Sequence, residues 1–287
     1  AMFRYLMDNA IASKNALNLS VGVSLTAEQV AALTHDIVWM ETVVVNGEPV
    51  LAPVLYLANA NNRLAANGAL IQGHDVTLIA GRDLNNAGTL KATNNLSAIA
   101  GNDLVNSGLI QAGNRLDLLA GNDLINRAGG IIAGRDVSLT AINGDVINER
   151  SITIGQGING DFSNGRSYAD SAARIEAAND LTIQAGRDVN NIGGVLQSGR
   201  DLSINAGRDV NLLSAQAENK LANGGSFLDQ NITQLGGSVS AGRDLSVNAG
   251  RDISVVASQL DAKRNIAMAA TDNLTLSSAA DEAHFYS

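Results

Sequence analysis

The sequence predicts an all-β protein built as a parallel β-helix with coils of about twenty residues, and three observations carry that expectation. The first is a recurring motif. Ala80-Gly81-Arg82-Asp83-Leu84 has near copies in Ala185-Gly186-Arg187-Asp188-Val189, Ala206-Gly207-Arg208-Asp209-Val210, Ala241-Gly242-Arg243-Asp244-Leu245 and Ala249-Gly250-Arg251-Asp252-Ile253. The second is spacing. The glycine slot of the motif falls at 73, 93, 113, 134, 178, 199, 242 and 263 in one series. It falls at 61, 81, 101, 121, 143, 186, 207, 250 and 271 in another, with steps mostly of 20 or 21 residues in both. The third is alternation: Val76, Leu78 and Ala80 alternate with Thr77 and Ile79, and Leu202, Ile204 and Ala206 with Ser203 and Asn205. A period of two is a strand with one buried face.

The corners follow from residue type. Glycine tolerates backbone angles that a Cβ resists, and Asp or Asn beside it can bond to nearby backbone N–H groups. A second corner, Asn-x-Gly-like, recurs at Asn67-Gly68, Gly88, Gly108, Gly129 and Gly193-Gly194. Coils pairing at about 4.8 Å make about nine of them a rod of roughly 40–45 Å. Val76, Leu96, Leu116, Val137, Leu181, Leu202, Leu245 and Ile266 are expected to stack inside it.

Residues 1–60 do not repeat and read as a small α+β cap segment. Thr26-Ala27-Glu28-Gln29 fits a capping box that opens a helix running to about His35. Ile37–Val45 and Glu48–Leu57 are apolar runs joined by Asn46-Gly47, a strong hairpin signal. Pro49 and Pro53 make the second run an edge or bulged strand. This segment is expected to pack on the first coil and cover an edge that would otherwise recruit strands.

The β-helix is expected from 61 to 287, running without insertion to about Val146. Beyond that point the period changes, since 143, 207 and 271 are spaced by 64 residues, as are 178 and 242, or 186 and 250. Two coils plus one excursion therefore form the unit. Excursions are expected near 148–171, 214–236 and from about 277. They are polar and Gly-rich, and read as hairpins leaning on the rod along one face. Phe162 and Tyr168 lie in the first and Phe227 in the second, the aromatics available along the shaft, so these three form the candidate interaction surface. A blander role for them is to seal the hairpins onto the helix wall.

Composition narrows the function. Aromatic content of 3 % is too low for an ordinary globular core, while 45 % hydrophobic residues suffice for a narrow interior of Val, Leu, Ile and Ala. A net charge of -9 argues against a nucleic-acid partner. With no Cys, disulfides and thiolate zinc sites are excluded. No run of 18 apolar residues spans a membrane, and no signal peptide opens the chain. Ala1 before Met2 and the end at Ser287 look like the edges of an excised fragment. An end coil exposed in that way predicts end-to-end self-association.

The repeated Ala-Gly-Arg-Asp-Leu/Val motif followed by Leu-x-Ile/Val-x-Ala resembles the repeat region of filamentous haemagglutinins and contact-dependent growth-inhibition effectors of Gram-negative bacteria. The first segment, with Tyr5-Leu6-Met7-Asp8-Asn9, Asp36-Ile37-Val38-Trp39 and Val54-Leu55-Tyr56-Leu57-Ala58, is similar to the stretch before the second repeat block of those effectors. The resemblance implies a right-handed β-helix in a long secreted cell-surface exoprotein, exported by two-partner secretion through an outer-membrane transporter. It implies one of two roles: a stalk delivering a toxin across the surface or outer membrane of a target cell, or an adhesin stalk binding host cells or matrix.

The alternative of a different class is a polysaccharide-degrading enzyme on the same fold. An enzyme needs one distinctive constellation, and here the Arg-Asp pair stands at nearly every corner, where solvated side chains are expected. His35, His74 and His284 are far apart, and Gly155-Gln156-Gly157 lacks the Lys-Ser/Thr of a phosphate loop. The expectation is a non-catalytic module with no cofactor and no metal.

Overall fold

The computed structural model describes residues 7–8, 10–14, 17–23, 25, 29, 37–45, 48–56, 69–159, 162–223 and 227–286. The chain divides into two compact units, residues 1–68 and 69–287.

In the first unit, residues 7–8 and 10–14 are helical, which the sequence pattern did not signal. The helix expected from Thr26 to His35 lies outside the described residues except for Gln29, which is helical. Ile37–Val45 and Glu48–Tyr56 form the expected antiparallel hairpin, with Pro49 and Pro53 opposite Val44 and Met40. Trp39 is buried with Ala10, Leu19 and Ile37. Its indole N–H donates to the carbonyls of Ser20 and Val23 at 3.1 and 3.2 Å, which satisfies the one polar atom of a buried ring.

The second unit is the parallel β-helix the repeats predict. Each coil contributes one strand to each of three sheets, and each sheet has eight strands in order along the rod. Leu70–Gly73, Val76–Ala80 and Leu84–Asn86 make the first described coil, and the slot expected at 61 falls outside the description. Register is in step throughout. Val76 pairs with Leu96, Leu96 with Leu116, Leu116 with Val137 and Val137 with Leu181. The row continues through Leu202 and Leu245 to Ile266. Like side chains therefore stack on like, and one core runs the length of the unit. Seven residues of this row are buried, as expected, but Ile266 is 48 % exposed. It points inward from the last coil, where no further coil covers it.

The excursions form a separate sheet. Ile152–Asn159 pairs with Phe162–Ala169, and Ala215–Asn223 pairs with Phe227–Leu235. These two hairpins join Glu282–Tyr286 in a five-stranded antiparallel sheet. All three insertions leave the coil at the same corner, after the third sheet and before the first. The geometry explains their spacing. Two coils advance about 9.6 Å along the rod, and a two-stranded hairpin occupies about 9.6 Å of sheet. A hairpin on every second coil therefore fills a continuous sheet without gap or crowding.

Candidate interaction surface

Three kinds of contact bind coil to coil, and one of them runs through the half-exposed Arg side chains of the corners and the Asp they hold. The first is close approach of backbone. The motif glycines do not adopt left-handed angles; among the described glycines only Gly22, Gly129 and Gly193 have positive φ. A Cβ on Gly101 would lie 2.2 Å from the Gly81 carbonyl oxygen, and one on Gly121 would lie 2.1 Å from that of Gly101. Glycine is required at these corners because neighbouring coils nearly touch. Gly81, with no described coil beneath it, meets nothing.

The second contact is the Asp of the motif. Its carboxylate accepts the backbone N–H of the equivalent residue one coil on. The run goes from Asp103 to Asp83 at 3.1 Å, from Asp123 to Asp103 at 3.0 Å, from Asp145 to Asp123 at 2.8 Å and from Asp188 to Asp145 at 3.0 Å. It continues through Asp209, Asp252 and Asn273. Early coils add an amide donor, Asn102 to Asp83 at 2.8 Å and Asn122 to Asp103 at 2.9 Å. Later coils substitute Arg. Arg187 holds Asp145 in a two-pronged pair at 2.7 and 2.8 Å, and Arg208, Arg243, Arg251 and Arg264 repeat it on Asp188, Asp201, Asp209 and Asp244. The Arg243 guanidinium and the Asp244 N–H lower the Asp201 carboxyl to about 2. Asp83, Asp209 and Asp244 are lowered by Asn102, Arg251 and Arg264 respectively. Asp145 is pushed up by burial but more strongly lowered by Arg187 and the Asp188 N–H.

The third contact is internal. Asn86, Asn106, Asn126, Asn148 and Asn191 are buried and form an amide ladder, each Nδ2 donating to the next Oδ1 at 2.8 to 2.9 Å. The same amides reach backbone carbonyls, as Asn126 does at Gly130 and Arg174. No described buried side-chain polar atom lacks a partner. The sequence reading left four of these asparagines beside Asn-x-Gly-like corners and put Asn148 at the start of the first excursion. Parity showed otherwise: each stands two residues after an inward Leu or Val, namely Leu84, Leu104, Leu124, Val146 and Val189. The ladder stops at Asn191, whose neighbour in register is Leu212.

Of the three aromatic candidates, Phe162 and Phe227 stand at the outer ends of their hairpins and share a cross-strand row through Asn223. Tyr168 lies six residues further along its strand, about 20 Å away, and is 58 % exposed. The structure therefore sets two of them in one row, two strands apart, and the third away from it. Sequence reasoning missed that adjacent hairpins hydrogen-bond to each other, which no local pattern announces. At the base of the first hairpin Arg150 donates to the carbonyls of Gly193 and Asp170 at 3.2 and 3.0 Å, fastening the hairpin to the next coil corner. His74 and His284 each hydrogen-bond to a near neighbour, Thr93 and Glu282. Among the described residues no group of three or more His, Asp or Glu could hold a metal ion.

Comparison with known proteins joins these features. A family model described as "Haemagglutinin repeat" matches residues 55–108 and 98–160, and another described as "Hemagglutinin repeat" matches 154–228 and 225–287. The chain belongs to the haemagglutinin-repeat family. The change from one repeat type to the other falls within the first hairpin strand, so the second type is the coil pair that carries a hairpin. A deoxyribonuclease CdiA of Dickeya dadantii is 42 % identical over 195 residues, covering 66 % of this chain and 6 % of the relative. A tRNA nuclease CdiA of Yersinia mollaretii is 36 % identical over 226 residues, covering 67 % and 8 %. A 16S rRNA endonuclease CdiA of Enterobacter cloacae is 34 % identical over 194 residues, covering 66 % and 6 %. The chain thus spans less than a tenth of the length of these relatives. No solved structure matches it. A stacked haemagglutinin-repeat helix fits a structural role, and the named nucleases are far longer proteins of which this region is one part.

Proposed function

We propose that the chain is a non-catalytic stalk of a large secreted surface protein of a Gram-negative bacterium, and that it serves contact-dependent delivery of a toxin into a neighbouring cell. The observation that supports this reading is the hairpin sheet, a surface added to the rod outside its three sheets. Its strands pair with one another, and Ile154, Tyr168 and Phe285 on it are 65, 58 and 69 % exposed. The relatives support the assignment in a second way. They are named for three different nuclease activities yet share this region, so it serves something common to all of them. Export would pass through an outer-membrane transporter of the two-partner kind, and the sheet would meet the target-cell surface or outer membrane.

The test is to replace residues 150–171 and 214–236, in the full-length protein, by the short corner Asn86-Ala87-Gly88. The expected result is normal export, an unchanged melting temperature of the rod, and loss of killing of neighbouring cells. A rod that melts markedly lower would make the hairpins a seal on the wall. Intact killing would end the delivery reading, and lost attachment to host cells in its place would favour an adhesin.

A further inference from the structure

The hairpin sheet lacks charge at the one strand where an open edge most needs it. Among the described residues no strand pairs with the outer side of Ile152–Asn159, the first strand of that sheet. Along an antiparallel strand one residue in two turns its N–H and C=O to each side, so about four of each stand open here. Open edges are ordinarily blunted by charge, by proline or by a very short strand. This chain uses those devices elsewhere. Pro49 and Pro53 stand in Glu48–Tyr56, and Glu282 opens the short strand Glu282–Tyr286 at the far edge of the hairpin sheet. The inner strands carry Arg166, Glu218, Lys220 and Asp229. Ile152–Asn159 is eight residues long and is the one described strand of the sheet without a charged residue. Its middle is also bare of side chain at Gly155, where the Tyr168 ring lies 3.2 Å from the place a Cβ would take. Ile154 beside it is exposed.

We infer that this edge is where two copies of the chain pair, strand to strand and antiparallel. The sequence of the strand identifies the partner, because it complements itself. Centred on Gly155, the pairing sets Ile152 opposite the partner's Ile158, Thr153 opposite the partner's Gly157 and Ile154 opposite the partner's Gln156. The isoleucines stay in one set of rows, and no like charges meet, as favourable cross-strand pairs require. A shift by one residue would oppose Ile152 to Asn159 and Ile154 to Gly157, and would break those rows. A foreign extended segment would find the same backbone groups but not this match. Antiparallel geometry also sets the base of each hairpin beside the tip of the other. The two rods then lie at opposite ends of the shared strands, and two five-stranded sheets become one continuous sheet. Each copy gives and receives the same bonds, so the interface is isologous and closes at two chains.

The experiment uses the whole 287-residue chain carrying Leu276→Lys, which takes contact through the end coil out of play. Sedimentation equilibrium should return a dimer of fixed mass. Adding Ile154→Lys, at an exposed side chain, should weaken that dimer at least tenfold, since two like charges would meet near the twofold axis. Ile154→Val should keep it, and so should Glu282→Lys on the opposite edge of the sheet. The chain has no cysteine, so Ile154→Cys supplies a single thiol. A short bismaleimide should join two chains through that thiol and should fail to join them through Glu282→Cys. Circular dichroism melts of every variant separate lost contact from lost fold. The inference is overturned if the Leu276→Lys chain is a monomer at every concentration, or if folded Ile154→Lys dimerises as tightly as its parent. Loss of the dimer in Glu282→Lys would overturn it as well, because the junction would then involve the far edge.

Discussion

At the residue scale, each corner position is chosen by the coil next door. Gly121→Ala puts a methyl group 2.1 Å from a carbonyl oxygen that belongs to a fixed backbone, whereas Gly81→Ala meets nothing. The first should cost about 3 kcal/mol, the upper end for overpacking, and the second under about 1 kcal/mol, as a denaturant titration of both would show. The Asp positions behave differently because an amide oxygen can replace a carboxylate. Asn95 already does so, accepting the Arg115 N–H at 3.2 Å. Asp123→Asn should accordingly be nearly silent. Leu118→Asp buries an unpaired charge at a position 2 % exposed and should destabilise by more than about 4 kcal/mol. Melts of the two variants that coincided would reverse the assignment of inside and outside.

The same carboxylates give the rod an acid limit. A carboxyl depressed in the folded state adds stability that is fully present above its unfolded pKa of about 3.9 and is lost as pH falls through its folded pKa. For Asp201 that value is about 2, and Asp83, Asp145, Asp209 and Asp244 shift in the same direction. Stability should therefore be level from about pH 6 to 5 and drop between about pH 4 and 2. Replacing Asp201 and Asp244 together by Asn should flatten that drop. Guanidinium titrations at a series of pH values read it directly.

At the element scale, the asparagine ladder and the hairpins respond to different spacings. Asn126→Ala removes one rung and takes its donor from the buried Asn148 Oδ1, while Asn106 keeps its backbone acceptors, at a cost of about 2–3 kcal/mol. The hairpins depend on commensurability instead. Deleting residues 193–213, one coil without an excursion, would place the two hairpins on consecutive coils. They would then be about 4.8 Å apart, half the width a two-stranded hairpin needs. The rod should survive and the antiparallel sheet should not. Hydrogen exchange would show protection kept in 76–141 and lost in 215–235. Protection retained in both would mean that the hairpins do not need the two-coil step.

At the scale of the whole β-helix, the last coil presents core side chains to solvent. Ile266, Leu274 and Leu276 are 48, 46 and 71 % exposed although their register turns them inward. In a longer protein the next coil would cover them. This chain made by itself should instead associate through that end, with a sedimentation coefficient that rises with concentration. Leu276→Lys should suppress the rise by charging the exposed end. A monomer at every concentration would count against an adhesive end coil.

What the sequence determined by itself was the period and the parity. Two series of slots, twenty or so residues apart, leave a chain little choice but to stack, and alternation decides which side chains go in. The 64-residue unit and the places of the excursions were legible for the same reason: repetition is a one-dimensional signal. Tertiary structure decided whatever depends on the distance between coils. It made the motif glycines a matter of contact where turn geometry was expected. It also tied half-exposed Arg side chains to the Asp of neighbouring coils as staples, and joined separate hairpins into one sheet. Those outcomes rest on backbones meeting at about 4.8 Å, a spacing that emerges only when the coils are laid on one another.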